Sequence, residues 1–318
     1  PTTYLMPKET EQFKQAADLN CNTCWICKPS DGTEGDDIEI VNSYSEISGE
    51  MLKRDFVIQE YLSKPYLVSE KKFDLRIYVP IIGIDPMHAF FCEEGIARFC
   101  TVNYQEPNSE NKSNHFMHLT NSSVNKQNAN FVNKNDASDD SSRRRMSDIF
   151  QNIIKENPNG SEIVAKLKQD IRELCGKTIN AIHARLVDTV EEEFKESSVV
   201  KSTLFQLMGF DIVITNDFKP VLLEINGNPS MSTFDNVQVG EEVVREISEI
   251  DVEIKIPLIS DLFTLVSMYT KDRRSLDSVS SFGCLTKVYS NSVVNPPAEL
   301  GLLHHIKRIY NHILRYEE

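Results

Sequence analysis

Three oxygen-bearing side chains, Asp211, Glu224 and Asn226, lie in two hydrophobic segments, "GFDIVIT" and "KPVLLEINGNPSM", parted by a short break. A β-hairpin of Phe210–Thr215 with Pro220–Asn226 around a two-residue turn, Asp217-Phe218, sets Asn216 opposite Lys219. That register carries down the strands to Asp211 opposite Glu224, with Asn226 one step further along the same face. Like charges opposed in a sheet are destabilising unless something sits between them. Two carboxylates and an amide oxygen form a hard donor set suited to Mg²⁺, which takes few protein ligands and completes its shell with water and phosphate oxygens. The preferred reading is a metal bridging nucleotide phosphates; the solvent-facing end of an ordinary hairpin would carry the same residues.

Two other stretches hold candidate chemistry. In "WICKPSDGTEGDDI" Lys28 ends a strand and precedes a Gly-containing loop, an arrangement that folds backbone N–H groups over phosphates while the lysine meets them as a point charge. In "KKFDLRIYV" Phe73, Leu75 and Ile77 alternate with Asp74 and Arg76, so one strand presents an acid and a base on one face. A solvated face would look the same. Cys21, Cys24 and Cys27 in "CNTCWIC" have metal-like spacing but no fourth ligand nearby, so packed thiols are the expectation.

The elements that must hold these residues are legible in outline. "CWICKP", "DIEIV", "FVIQEYL", "FDLRIYVPIIGI" and "HAFFCEEGIARFCTV" read as strands of a sheet. Residues 103–147 turn to Asn, Ser, Asp and Lys and read as a partly mobile loop, with the basic run Arg143-Arg144-Arg145 as a charged stretch within it. From Ser161, a candidate N-cap, to about Phe194, apolar residues recur at helical spacing through Ile163, Leu167, Ile171, Leu174, Thr178, Ile182, Leu186 and Val190. Strands "LFQLMGFDIVIT" and "PVLLEIN" follow, then helical stretches near Leu258–Tyr269 and Pro297–Tyr316. At 318 residues, 40% hydrophobic and 26% charged, the chain can bury a large core. Its net charge of −14 argues against nucleic acid or anionic membrane as a general partner. Seven scattered cysteines, no secretory signal and no membrane-length apolar run fit a reducing, cytosolic setting.

Seven motifs in order, "WICKP", "VIQEYL", "KFDLRIYV", "GIARFCT", "HLTNSSVNK", "GFDIVI" and "LLEINGNPSM", resemble the tubulin tyrosine ligase-like family across nearly all of residues 25–231. The likeness is closest to its polyglutamylase branch, particularly the side-chain-elongating members. The resemblance implies an α/β (α+β) ATP-grasp fold, two lobes with nucleotide held between sheets. Residues 1–62 would be a partial central lobe, 63–270 the C-terminal lobe with the catalytic and metal site, and 271–318 a helical extension. The chain begins at Pro1, and the family's N-terminal portion would be missing.

The roles implied are specific. Lys28 and the loop through Gly35 would hold ATP phosphates, and Gln59, Glu60, Tyr61 and Leu62 would line the adenine site. Lys72 and Asp74 would complete nucleotide binding, with Thr120 and Asn121 beside the phosphates. Asp211, Glu224 and Asn226 match the metal ligands, Arg98 matches the arginine that holds the incoming amino acid's carboxylate, and Ser123 and Arg143 would assist it. Lys28, Arg98 and Glu224 would be catalytic. The implied reaction is ATP- and Mg²⁺-dependent ligation of free L-glutamate to glutamate side chains of tubulin C-terminal tails through an acyl phosphate. It would be carried out at the cytoskeleton, in cytoplasm, cilium or axoneme.

Departures from the family pattern keep alternatives open. Asp37 replaces a glycine where positive φ or close approach is needed, Glu34 and Asp36 add negative charge, Ser122 stands where the family usually has Tyr, and Gly227 where some elongating members have His. A catalytically impaired, tubulin-binding or axonemal structural protein is the alternative reading, and a glycylase a third.

Overall fold

The computed structural model describes residues 1–20, 22–32, 35–132, 141–194, 203–239 and 242–291. Two antiparallel sheets face one another. The smaller has the order β1 (Thr3–Met6), β4 (Phe56–Glu60), β2 (Trp25–Pro29), β3 (Glu39–Val41). Helix α1 (Thr10–Leu19) covers it, burying Phe13 edge-on against Trp25 at 5.2 Å between centroids. Each such aromatic or aliphatic side chain taken out of water contributes about 1.5–3 kcal/mol.

The larger sheet has eight strands. Strand β5 (Phe73–Ile82) is its spine: it pairs along its length with β9 (Phe205–Ile214), at its start with β7 (Ile96–Phe99) and at its end with β6 (His88–Cys92). Beyond these lie β10 (Pro220–Asn226) beside β9, β8 (Arg143–Arg145) beside β7, and β14 (Leu285–Ser290) with β13 (Ser281–Phe282) beside β6. A separate hairpin joins β11 (Phe234–Val239) to β12 (Glu242–Ile247).

Alternation along β5 divides the molecule. Leu75, Ile77, Val79 and Ile81 enter the core beneath α4 (Met146–Glu156) and α5 (Gly160–Glu193). Tyr78 and Ile82 point the other way, beneath Ile254, Leu258 and Leu265 of helix α6 (Glu249–Lys271). Asp74 and Arg76 share that second face but lie before α6 covers it, at the edge of the space between the two sheets.

Several expectations change. Phe218 has φ 60° and Thr215 N–H bonds to Lys219 C=O at 2.9 Å, so the hairpin turn holds three residues, Asn216 to Phe218, rather than two. The register near the turn is thereby one residue off, with Val221 opposite Val213 and Leu222 opposite Ile212. A bulge between Leu222 and Glu224 then restores the expected pair, Glu224 opposite Asp211. The bulge has a packing reason. Leu222 and Ile225, three apart, both enter the core, while Leu223 and Glu224 both line the cleft, a pattern strict alternation cannot deliver.

Ser161 is not the N-cap of α5, which begins at Gly160 after Asn159. Its stripe is confirmed, with Leu167, Ile171, Thr178 and Ile182 buried and Ile163, Leu174, Leu186 and Val190 packed partly against the core. The 103–147 segment, read as loop, contains two short helices, α2 (His115–His118) and α3 (Ser122–Asn125), and strand β8. Arg144 is buried 4.1 Å over the Phe99 ring, and Arg145 is paired with Glu253, so neither is a solvated loop charge. "HAFFCEEGIARFCTV" is two strands, β6 and β7, broken at Glu93–Gly95. Residues 281–290 are strands, not a helical extension; the helix expected at 297–316 lies outside the described residues.

Candidate active site

Cross-strand register assembles a checkerboard of charge on the cleft-facing side of the large sheet. Asp74 lies opposite Arg98, and Arg98 opposite Arg143; one pleat along, Arg76 lies opposite Asp211, and Asp211 opposite Glu224. Two of these contacts are like-charge pairs, so each needs compensation. Arg98 receives it by donating Nε and Nη2 to Asp74 at 2.7 and 2.5 Å and Nη2 to Asp211 at 2.7 Å. Arg76 grips the same Asp211 with Nε and Nη2 at 2.5 and 2.9 Å. Thr120 Oγ1 donates to Asp74 at 2.5 Å.

These contacts set the electrostatics. Burial raises the cost of ionising Asp211, yet Arg76 and Arg98 overcome it and hold the carboxyl well below its usual range. Glu224 goes the other way: burial, then the charge of Asp211, push it up to about 7, with a hydrogen bond between the two carboxyls. Facing carboxyls of this kind are relieved by a cation between them. Asn226 donates Nδ2 to both acids at 3.4 Å; with its amide turned over, Oδ1 would join the two carboxylates as a hard oxygen set that leaves the remainder of a divalent cation's shell to water and phosphate.

A cleft between the two sheets gathers most of the predicted residues: Lys28, Gln59, Glu60, Tyr61, Leu62, Lys72, Asp74, Arg98, Thr120, Asn121, Asp211 and Glu224 all line it. Lys28 is held down in pKa by burial, against the pull of Glu224 and Asp211, and its Nζ lies 3.3 Å from Gln59 Oε1. Burial brings Lys72 down to about 8; its Nζ donates to Tyr61 Oη at 3.0 Å and to the His118 carbonyl at 2.7 Å. Gln59 donates to Thr3 Oγ1 at 2.9 Å, so its amide also ties β4 to β1. Gly35 (φ 92°) lies close to the Asn121 side chain: an added Cβ would come within 3.1 Å of it. The cleft volume is about 60 Å³, well below the roughly 300–1,000 Å³ of ligand pockets.

Beyond Arg98, which lines both spaces, lies a second cavity of about 530 Å³ that takes Ser123, Arg143 and Asn226. Sequence reasoning noted Arg76 without giving it a role, and missed His118 and Lys255 among the lining residues. The signal for Arg76 was present, since it shares the Asp74 face of β5 and its partner Asp211 was already singled out; Lys255 comes from a helix with no motif around it. Gly209 makes room for Pro229 and Arg76: a Cβ there would meet Pro229 Cβ at 3.0 Å, Arg76 Cδ at 3.1 Å and Nε at 3.3 Å.

Part of the acidic loop after Lys28 is also accounted for. Asp37 does adopt a left-handed conformation, φ 56°, which Asp tolerates better than most residues. Arg54 donates to its carboxylate at 2.7 Å and to Asp31 at 2.9 Å, so two of the loop's charges are tied to a cation. Glu34 lies outside the described residues, as does Cys21. Cys27 is fully buried in β2, where burial raises its thiol pKa beyond reach of ordinary pH.

Residues 1–268 match the tubulin-tyrosine ligase family. The chain belongs to that family. Among relatives, human tubulin polyglutamylase TTLL11 is 32% identical over 288 residues, covering 86% of this chain and 39% of that protein. Mouse tubulin polyglutamylase TTLL6 is 34% identical over 277 residues, 87% of this chain and 31% of the relative. Caenorhabditis elegans tubulin polyglutamylase ttll-11 is 34% identical over 282 residues, 84% and 38% respectively. The chain thus spans no more than about two fifths of the length of these relatives. Membership in the tubulin-tyrosine ligase family accords with the mixed α/β, ATP-grasp-like arrangement of two sheets about a polar cleft. Among the described residues no helix is long and apolar enough to cross a membrane.

Proposed function

We propose that this chain is the ligase core of a tubulin polyglutamylase, joining L-glutamate to glutamate side chains of tubulin tails at the expense of ATP. The observation that carries the reading is Arg98 in the wall common to two cavities. One has a lysine pair and facing carboxyls, suited to metal-bound triphosphate; the other has arginines, suited to amino-acid and acceptor carboxylates. The polyglutamylase names of the relatives support the choice of substrates.

Asp211, Glu224 and Asn226 would hold Mg²⁺, which when bound offsets charge on the transferring phosphoryl group. Lys28 and Lys72 would meet the phosphates, with Thr120, Asn121 and the Gly35 loop alongside; Gln59 to Leu62 would line the adenine. A carboxylate is a poor electrophile, so the acceptor glutamate would take the γ-phosphoryl group, releasing ADP. The amine of free glutamate would then attack the acyl carbon and displace phosphate as the amide forms.

Arg98 and Arg76 would orient that amine by gripping the α-carboxylate. Nε of Arg98 is spent on Asp74 and Nη2 is shared between Asp74 and Asp211, so Arg98 would meet the carboxylate through Nη1. Ser123 and Arg143 would assist from the larger cavity. The hold of Arg54 on Asp31 and Asp37 offsets part of the loop's acidity. Through tubulin the protein would be cytoskeletal.

Incorporation of labelled glutamate and labelled glycine into microtubules with Mg²⁺ and ATP tests this. Glutamate incorporation that disappears in Glu224→Gln is the expected result. Microtubule binding without incorporation of either amino acid would replace it with a structural role, and glycine incorporation alone with glycylation.

A further inference from the structure

Five alternating charges line the larger cavity away from the metal-suited carboxyls. Lys126 Nζ meets Asp235 Oδ1 at 3.0 Å, Arg143 Nη1 donates to Asp235 Oδ2 at 2.9 Å, Arg143 Nη2 donates to Asp251 Oδ2, and Lys255 Nζ meets Asp251 Oδ1 at 2.7 Å. The members come from the end of α3, from β8, from β11 and from α6. All five line the cavity. Three cations against two anions leave the chain one positive charge in excess. On the opposite wall Arg76 and Arg98 are already held by Asp211 and Asp74, and Glu224 lines it as well.

The two ends of the chain differ. The side chain of Lys126 is 42% exposed and can be neutralised by solvent and salt; that of Lys255 is 6% exposed, and besides Asp251 it reaches the Ser232 carbonyl at 2.8 Å. An excess cation at a sequestered end is costly unless an anion joins it. Asp251 already divides its charge between Arg143 and Lys255.

We propose that Lys255 reads the side-chain carboxylate of the incoming amino acid and so selects glutamate over uncharged amino acids. The inference rests on the ligase reading above and adds the group that makes the choice. Glutamate carries two carboxylates three carbons apart. Arginines at the β5–β7 wall suit one, and Lys255 across the same cavity suits the other. An ammonium suits this task, since it meets a carboxylate as a point charge without demanding a fixed two-pronged geometry. Glycine would leave Lys255 as it stands, and glutamine would replace an ion pair with a contact to an uncharged carbonyl oxygen.

The test is calorimetric titration of the full chain, saturated with Mg²⁺ and a non-hydrolysable ATP analogue, with glutamate, glutamine and glycine. Wild type is expected to prefer glutamate over glutamine by at least about tenfold, Lys255→Met to shrink that preference to within about threefold while leaving glutamine affinity unchanged, and Lys255→Arg to keep most of it. Should Lys255→Met melt well below wild type, Lys255→Gln takes its place. Wild type without preference, or a Lys255 variant that keeps the preference or weakens glutamate and glutamine alike, would overturn the proposal. Amino-acid binding is read here without transfer. A protein that shows the preference yet modifies no tubulin loses the ligase reading alone; one that binds no amino acid loses both.

Discussion

Asp211 is the residue on which the site turns, because it serves two arginines and faces a second carboxyl at once. Its substitution and that of Glu224 should therefore differ in kind. Asp211→Asn takes the carboxylate from Arg76 and one of two carboxylates from the buried Arg98, and should lower stability by about 3 kcal/mol, measured by chemical denaturation. Glu224→Gln should abolish ligation yet stabilise the nucleotide-free protein. The sign follows from the raised pKa: the folded state holds Glu224 protonated up to about 7, the unfolded state ionises it near 4.5, so a penalty grows between those values and is complete above pH 7. Glutamine escapes it. The gain should be about 1–3 kcal/mol at pH 8 and vanish by pH 4. Gly209→Ala should press on both Arg76 and the rigid Pro229 ring, lowering kcat/KM for ligation by about tenfold together with a drop in Tm.

Among the elements, α5 shows what was legible and why. Its long amphipathic period fixed its extent to within a residue, because burial against a sheet repeats every turn. Ile179→Ala, at a fully buried position, should cost about 2–4 kcal/mol, while Lys177→Ala on the solvent side should change stability by less than about 0.5 kcal/mol in the same denaturation assay. Strand β10 was harder. The pairing of Asp211 with Glu224 was anticipated from a two-residue turn, whereas a three-residue turn and a bulge offset one another to produce it. Alternation alone cannot reveal a bulge whose cause, Leu222 and Ile225 in one core, is tertiary. Strand β14 escaped notice because Leu285–Ser290 alternates weakly and finds its partner, β6, nearly two hundred residues away. The ion chain was invisible for the same reason: Arg143 was singled out, but Asp235, Asp251 and Lys255 acquire meaning only when β8, β11 and α6 meet.

For the molecule as a whole, two buried histidines set an acid limit. Burial, reinforced by Lys287 at His88 and by Lys72 at His118, brings both down to about 4. Each must stay neutral in the folded state while the unfolded chain takes up protons below about 6.5, so stability is lost as pH falls from 6.5 to 4. Denaturation of the Glu224→Gln protein, where the opposing carboxyl is gone, should show a loss on the order of 2–5 kcal/mol over that window. The cleft volume has a consequence in time rather than in energy. At about 60 Å³ the cleft between the sheets is tight. If the sheets part to admit ATP, its observed association rate, followed by stopped-flow fluorescence, should rise with concentration and then level off at the opening rate; a rate that stays linear would mean that the cleft admits nucleotide as it stands.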